Sequence, residues 1–392
     1  MTFSVTVVVP AHNAARTLSA CLDSVYAQTH RPHQVVVVDD GSTDATARIA
    51  QAYAADGGPA GGAAGGPVGG SAGGPPCELI RQWPNRGVSA ARNAGIAAAT
   101  GEVIFFLDSD EALTPDSVAN ALEILEKDPE CGCVHGVIAP EPLFDDGPVE
   151  RYRVLHAHWW RVRGAGVVET AFFAQAAVRR EVFERIGGFD ESLRDSEDLE
   201  LSDRLAPHYR IVLTDRVVAH HDEVERLVPL LAETYRRALL LVPALAASRR
   251  GGRRNLTANS PASVATAAFT LAALPLAGRW PVLPAAGLAA FCAANAGLLR
   301  FAARRHGPAF ASYAAGVHFL VVGSLLTGAG VGALRMLRPG RRAAPPSVPP
   351  ATGERTVPRA TGKRTAPPAT GERTARPVTG KRTAPPATGE RN

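Results

Sequence analysis

Cysteine is scarce in this chain: five residues in 392, scattered and odd in number, at Cys21, Cys77, Cys131, Cys133 and Cys292. Cys131 and Cys133 are too close for a usual disulfide and lack a second pair of metal ligands, so neither a disulfide scaffold nor a zinc ribbon is expected. The N-terminus lacks the basic start of a signal peptide, and its apolar run stops at Pro10 with a strand-like pattern. The first part of the chain is therefore expected to stay in the cytoplasm. The glycines of residues 56–76 neither open a helix after a strand as GxGxxG nor carry the Lys of GxxxxGK[ST]. That stretch reads as a flexible surface insertion rather than a phosphate loop. Zinc-finger spacing and an aromatic-interleaved basic stripe are also missing, which argues against nucleic-acid binding.

Two further absences divide the chain. Residues 261–336 contain no Asp or Glu and are rich in Ala, Leu, Val, Phe and Gly. Residues 337–392 carry almost no large apolar side chains and repeat a Pro/Thr/Arg/Gly unit with a nine-residue period, from ATGERTVPR to ATGERN. Such a unit cannot build a core, so the tail reads as disordered and basic. The formal net charge of +5 comes mostly from the second half, where Arg249, Arg250, Arg253 and Arg254 precede the apolar segment and Arg335, Arg338, Arg341 and Arg342 follow it. Basic clusters flanking apolar runs suit anionic lipid headgroups. Pro261–Ala277, Val282–Leu299 and Ala309–Leu334 each approach the ~20 apolar residues of a bilayer crossing. The expectation is two or three transmembrane helices, a multi-pass cell-membrane protein, and a basic juxtamembrane linker over residues 231–260. Three crossings from a cytoplasmic start would put the basic tail outside, so either one segment is re-entrant or the tail is exported.

Residues 1–230 have ordinary globular composition. Phe3–Val9, Val35–Val38, Glu78–Arg81 and Val103–Leu107 read as strands, and helical spacing fills Ala14–Gln28, the stretch through Tyr53, Val88–Ala99 and Pro115–Lys127. Strands apolar on both faces alternating with helices predict an α/β fold, a Rossmann-like and mostly parallel sheet with helices on both faces. Ligands of such a sheet sit at the carboxyl ends of its strands. Asp39-Asp40 and Asp108-Ser109-Asp110 stand at two such ends. Carboxylates spaced one residue apart can share a divalent ion, which in turn neutralises a diphosphate.

With these residues in view, the chain resembles the family 2 glycosyltransferases, inverting enzymes of the GT-A fold. The resemblance covers about residues 4–222 and runs through VVVPAHNAARTLSACLDSV, VVVVDDGSTDAT, NRGVSAARNAGI, GEVIFFLDSDEAL and GGFDESLRDSEDLELSDRL in order. It implies a nucleotide-sugar donor bound along Pro10, Ala11, Asn13, Arg86, Arg92 and Asn93. Asp40, with or without Asp39, would read the base, and a carboxylate accepting the imide N–H of uracil suggests UDP. Asp108 and Asp110 correspond to the site of a divalent metal, Mn²⁺ or Mg²⁺, with Asp110 the direct ligand and His220 or His221 completing it. Asp198 corresponds to the general base and Glu197 to the neighbour that keeps it basic. Arg204 stands near this pair with no Trp after it, unlike the Gln-x-x-Arg-Trp of processive synthases, so a single addition is implied. The acceptor is expected to be a hydroxyl on a cell-envelope glycan or lipid-linked glycan. Alternatives are a polyprenyl-phosphate glycosyltransferase, whose D-A-D-L-Q pattern is absent here, a sugar nucleotidyltransferase, or a non-catalytic membrane scaffold. Trp159 and Trp160 are candidates for stacking on a sugar, packing together or touching a membrane, and residues 135–175 match nothing in the family firmly.

Overall fold

A computed structural model describes residues 3–56, 74–193, 196–247 and 259–336; the insertion read at residues 56–76 and the repeat tail fall almost entirely outside these. The first half alternates as read: β1 (Val5–Ala11), α1 (Leu18–Tyr26), β2 (Gln34–Asp40), α2 (Thr46–Asp56), β3 (Cys77–Gln82), α3 (Val88–Ala98) and β4 (Val103–Leu107). Strands β3, β2, β1 and β4 lie side by side and parallel, with β1 as the hinge between β2 and β4. Strands β1, β2 and β4 are fully buried because their period of two feeds two cores, while β3 at the edge stays partly exposed. Val5, Val7, Val9 and Phe105 face α1 on one side; Val8, Val36, Ile104 and Phe106 face α3 on the other. The small residues of α3 allow close approach to the sheet, since a Cβ on Gly95 would lie 2.2 Å from a Val8 methyl.

Beyond β4 the sheet departs from the mostly parallel expectation. The remaining elements are β5 (Glu111–Leu113), α4 (Ser117–Lys127), β6 (Cys131–Ile138), α5 (Pro148–Arg163), β7 (Gly166–Val168), β8 (Gln175–Arg179), α6 (Arg180–Ile186), α7 (Glu197–Leu205) and β9 (Arg210–His221). The path runs β3-β2-β1-β4-β8-β6-β9-β5, with β7 on β9. Strand β8 is antiparallel to both β4 and β6, whereas β6 and β9 are parallel. The sheet is therefore mixed, its parallel half carrying the Asp-rich strand ends and its mixed half closing over them.

The C-terminal helices also differ from the reading. Residues taken as a linker begin inside a helix, α8 (Leu227–Ala247), whose Leu230 and Leu231 join a cluster with Val317 and Val321. Next come α9 (Pro261–Ala273), α10 (Val282–Ala294) and α11 (Ala296–Met336). Among the described residues only α11 is long and apolar enough to cross a membrane, and it kinks at Gly307 (φ 87°) before Pro308. The multi-pass expectation is thus not supported. Proline in the turn Leu274–Leu276 and the Gly278–Pro281 stretch cut α9 short, and Asn295 separates α10 from α11. Thirteen residues at about 1.5 Å each reach ~20 Å, short of the ~30 Å hydrocarbon core.

Candidate active site

The parallel strand ends of β1, β2 and β4 open into one crevice, and a single arginine organises its floor. Arg92 lies on the sheet-facing side of α3 and is 2 % exposed. Its guanidinium donates to Asp108 Oδ1 (3.0 Å), Asp198 Oδ1 (3.1 Å) and Glu197 Oε1 (3.3 Å), with its flat face over the Phe189 ring at 5.3 Å. Three carboxylates from the end of β4 and the start of α7 thus converge on one cation. Burial opposes the charge of Arg92, but Asp108, Asp198 and Glu197 outweigh it and hold the guanidinium firmly charged. The same desolvation raises Asp198 to about 7; Arg92 opposes the rise, while Glu197 and Asp108 add to it. Burial likewise raises Asp108 against the pull of Arg92. Phe173 N–H faces Asp198 Oδ2 at 3.4 Å, and Ser196, just before the pair, has a left-handed backbone (φ 67°). A left-handed non-glycine residue is costly and is often found where a site must be held in shape.

Asp40 is committed to the backbone. Its Oδ1 accepts from Arg86 N–H (2.8 Å) and its Oδ2 from Gly87 N–H (2.7 Å), where Gly87 adopts φ 91° to open α3. Asp39, equally buried, accepts from Ser42 N–H (3.1 Å) and lies 3.4 Å from Arg81. Pro10 and Ala11 end β1 beside Asp39. Asn13 (φ 50°) is tied to the next loop by Thr43 N–H donating to its Oδ1 at 2.8 Å. Asn93 clamps the Phe189 backbone with both ends of its amide (2.9 and 2.8 Å), and Arg86 pairs with Glu191. These residues surround the crevice, but in this structure Asp40, Asn93 and Arg86 are engaged in holding its loops. Arg204 does the same, bonding Glu200 and the Ile186 and Gly188 carbonyls.

The Asp-x-Asp carboxylates diverge. Asp108 turns to Arg92, whereas Asp110 remains about half exposed, with Oδ2 3.4 Å from His221 Nε2. His221, rather than His220, meets Asp110. Strand parity decides this: Glu111 of β5 pairs with His221 of β9, and the His220 ring turns away to the Glu141 carbonyl at 3.1 Å. His221 Nδ1 lies 3.4 Å from Glu223, an ion-pair contact. Burial opposes charge on this ring, yet Asp110 and Glu223 outweigh it and favour the imidazolium, so a cation seated at Asp110 would have to displace its Nε2 proton. A half-exposed carboxylate beside an imidazole is a donor set open to a divalent cation. Asp146, Glu150 and Asp222 form a tighter acidic group, but Arg16 already bridges Asp146 and Asp222.

Several site residues lay beyond sequence reasoning. Glu111 is 1 % exposed and burial pushes it up to about 8; with its amide nitrogen turned inward, Gln175 donates to both its oxygens at 2.9 and 3.1 Å. Arg161 lays its guanidinium over Phe172 at 4.8 Å, with Nε and one Nη buried and unbonded. Only the Asp-Glu adjacency could have flagged Glu111; Arg161 had no signal. Trp160 packs edge-on against Phe172 and Trp159 against Phe301, so both indoles are in aromatic contacts within the protein.

Residues 6–187 match Glycosyl transferase family 2. Among curated relatives, an uncharacterized glycosyltransferase of Nostoc sp. is 34% identical over 134 residues, covering 33% of this chain and 35% of the relative. One of Haemophilus influenzae is 24% identical over 205 residues, covering 50% and 59%. The chain therefore spans between about a third and three-fifths of these relatives' lengths. Among solved structures, a mannosyltransferase from Pyrobaculum calidifontis in complex with GDP-Man and Mn²⁺ is 26% identical, with a TM-score of 0.52 over 86% of this chain and 88% of that one.

Replacing Arg92 leaves three partly exposed carboxylates without their buried cation. Arg92→Gln is expected to cost about 1–3 kcal/mol of stability at neutral pH, the penalty for leaving charged hydrogen-bonding groups unpaired. Urea denaturation at pH 7.5 checks this, and a loss below about 1 kcal/mol contradicts the convergent geometry.

Proposed function

Over residues 6–187 this chain belongs to glycosyltransferase family 2, and on that premise we propose that it transfers a sugar from a nucleoside diphosphate donor to an acceptor hydroxyl, inverting the anomeric carbon. The observation that carries the reading is the Arg92 cluster: a base raised to about 7 sits across one guanidinium from the Asp-x-Asp strand end. Asp198 takes the hydroxyl proton as the acceptor oxygen bonds to the anomeric carbon. The bond from that carbon to the diphosphate oxygen breaks, and its electron pair leaves with the diphosphate. Glu197 and Asp108 keep Asp198 basic, and Arg92 fixes its orientation. Asp110 and His221 would hold a divalent cation, which supplies counter-charge to the diphosphate. Pro10, Ala11, Asn13, Asp39 and the loop at Arg86 are proposed to line the nucleotide.

UDP was the expected base from a carboxylate partner. A carboxylate also accepts the N–H groups of guanine, and the likeness to a GDP-Man-bound mannosyltransferase puts GDP beside it. A hydroxyl acceptor on an envelope or lipid-linked glycan fits a poised base, because a phosphate acceptor already carries its charge. Contact with a membrane is supported by residues 261–336, helices α9–α11 and their connecting turns: ten of the thirteen exposed large hydrophobic side chains among the described residues lie there, Phe269, Leu276, Trp280 and Leu288 among them. The catalytic half is then proposed to work at the cytoplasmic face.

Purified full-length protein in detergent, given UDP- and GDP-sugars with Mn²⁺, Mg²⁺ or EDTA, is expected to turn over one donor only with metal. Asp110→Ala should lose that turnover, and absence of nucleotide-sugar binding under every condition would sink the reading. The pH profile has a definite sign. Since Asp198 must be ionised, transfer should fall about tenfold per unit as pH drops below about 7 and level off above it. Asp198→Asn should lose about 10²–10⁴-fold at pH 8 while retaining donor binding; a profile flat from pH 5 to 8 contradicts the assignment.

A further inference from the structure

A second cavity, of about 370 Å³, lies outside the acidic crevice, where the far face of α5 meets the end of α10 and the start of α11. His156, Trp159, Trp160 and Arg163 point into it from α5, at the i, i+3, i+4, i+7 spacing of one helix face. Asn295 and His318 close it from the apolar helices. No Asp or Glu lines it.

The polar groups on its two sides differ in one respect. Those of the apolar helices are already bonded: His318 Nδ1 to Tyr152 Oη at 2.8 Å, His318 Nε2 to Asn295 at 3.0 Å, and Asn295 onward to Ser263 Oγ at 2.9 Å. Those of α5 are not. His156 is 5 % exposed and touches Tyr152 and His318 only through ring faces and edges. Arg163 stacks on Trp159 at 4.9 Å and has no acidic partner among the described residues. Burial keeps His156 neutral, so it offers one N–H donor while Arg163 supplies the charge. The His156 ring lines the cavity without a protein hydrogen bond, so its N–H can donate to a ligand there.

We propose that this cavity binds the phosphate-bearing head of an anionic amphiphile. A guanidinium, an unpaired imidazole N–H and no carboxylate select an anion. Two indoles and the ends of three apolar helices select one attached to an apolar chain. The volume exceeds that of a bare phosphate and falls in the range of small-ligand pockets. The site is also joined to the catalytic crevice, because Trp160 packs on Phe172, and the next residue's N–H faces Asp198. The inference stands on this cavity and not on the transfer reaction, so it survives or fails independently of the donor assay.

The test uses the full chain in maltoside micelles, with Trp83→Phe and Trp280→Phe leaving Trp159 and Trp160 as the fluorescent reporters. Inorganic phosphate, farnesyl phosphate and uncharged farnesol are titrated in turn. Farnesyl phosphate is expected to shift the emission saturably, and Arg163→Gln to weaken it about tenfold or more. Arg163 is exposed and away from the acidic crevice, so this variant should still bind donor nucleotide, which reports that it is folded. Ala294→Leu, which fills the cavity without touching its charge, should weaken binding as well. Tighter binding of farnesyl phosphate than of phosphate upholds the amphiphile, and equal binding assigns a free phosphate and overturns it. Equal saturation by farnesol, no saturable change with any probe, or full binding by Arg163→Gln overturns it.

Discussion

One buried guanidinium holds three acids that would otherwise repel each other out of the crevice. Arg92 is the point where the end of β4, the face of α3 and the start of α7 meet. Three carboxylates against one arginine leave an excess of negative charge, which is what a site for a divalent cation requires. The same imbalance, in a poorly hydrated place, raises the basicity of Asp198. Removing the cation would damage stability and chemistry together, because the two rest on the same contacts.

The sheet explains why these groups can meet. Its parallel half brings β1, β2 and β4 to a common edge, and the antiparallel entry of β8 carries the chain back so that α7 lands across that edge. The loop before α7 is pinned from below, with Asn93 clamping Phe189 and Gly188 so close that a Cβ there would lie 2.4 Å from the Asn93 amide. Helix α5 then serves two sides. Arg161 lies over Phe172 on the crevice side, while His156, Trp159 and Arg163 turn toward the apolar helices.

Much of the first half was legible because each signal was local. The runs ending at Pro10, Val38 and Leu107 are strands within a residue or two of their reading, and the acids after the last two stand at neighbouring parallel strand ends. What was not legible depended on distant pairing. His220 and His221 cannot be told apart until β9 is registered against β5. Asp40, read as a base-binding carboxylate, also accepts from the backbone N–H groups of residues 86 and 87, a contact the sequence does not reveal. Arg92 carries no local mark of its three partners, two of which lie 105 and 106 residues further along the chain. The apolar C-terminal segment shows the limit of composition: its content suits several crossings, but prolines and Asn295 divide it into helices of which one is long enough.

The central claim is that the diphosphate and its cation sit between the Arg92 cluster and His221. Anomalous scattering at the manganese edge, from crystals grown with nucleoside diphosphate and Mn²⁺, tests it most directly. The account predicts one peak between the Asp110 carboxylate and His221 Nε2, lost in Asp110→Ala. A peak seated instead on Asp146, Glu150 and Asp222, with none at Asp110, would contradict it.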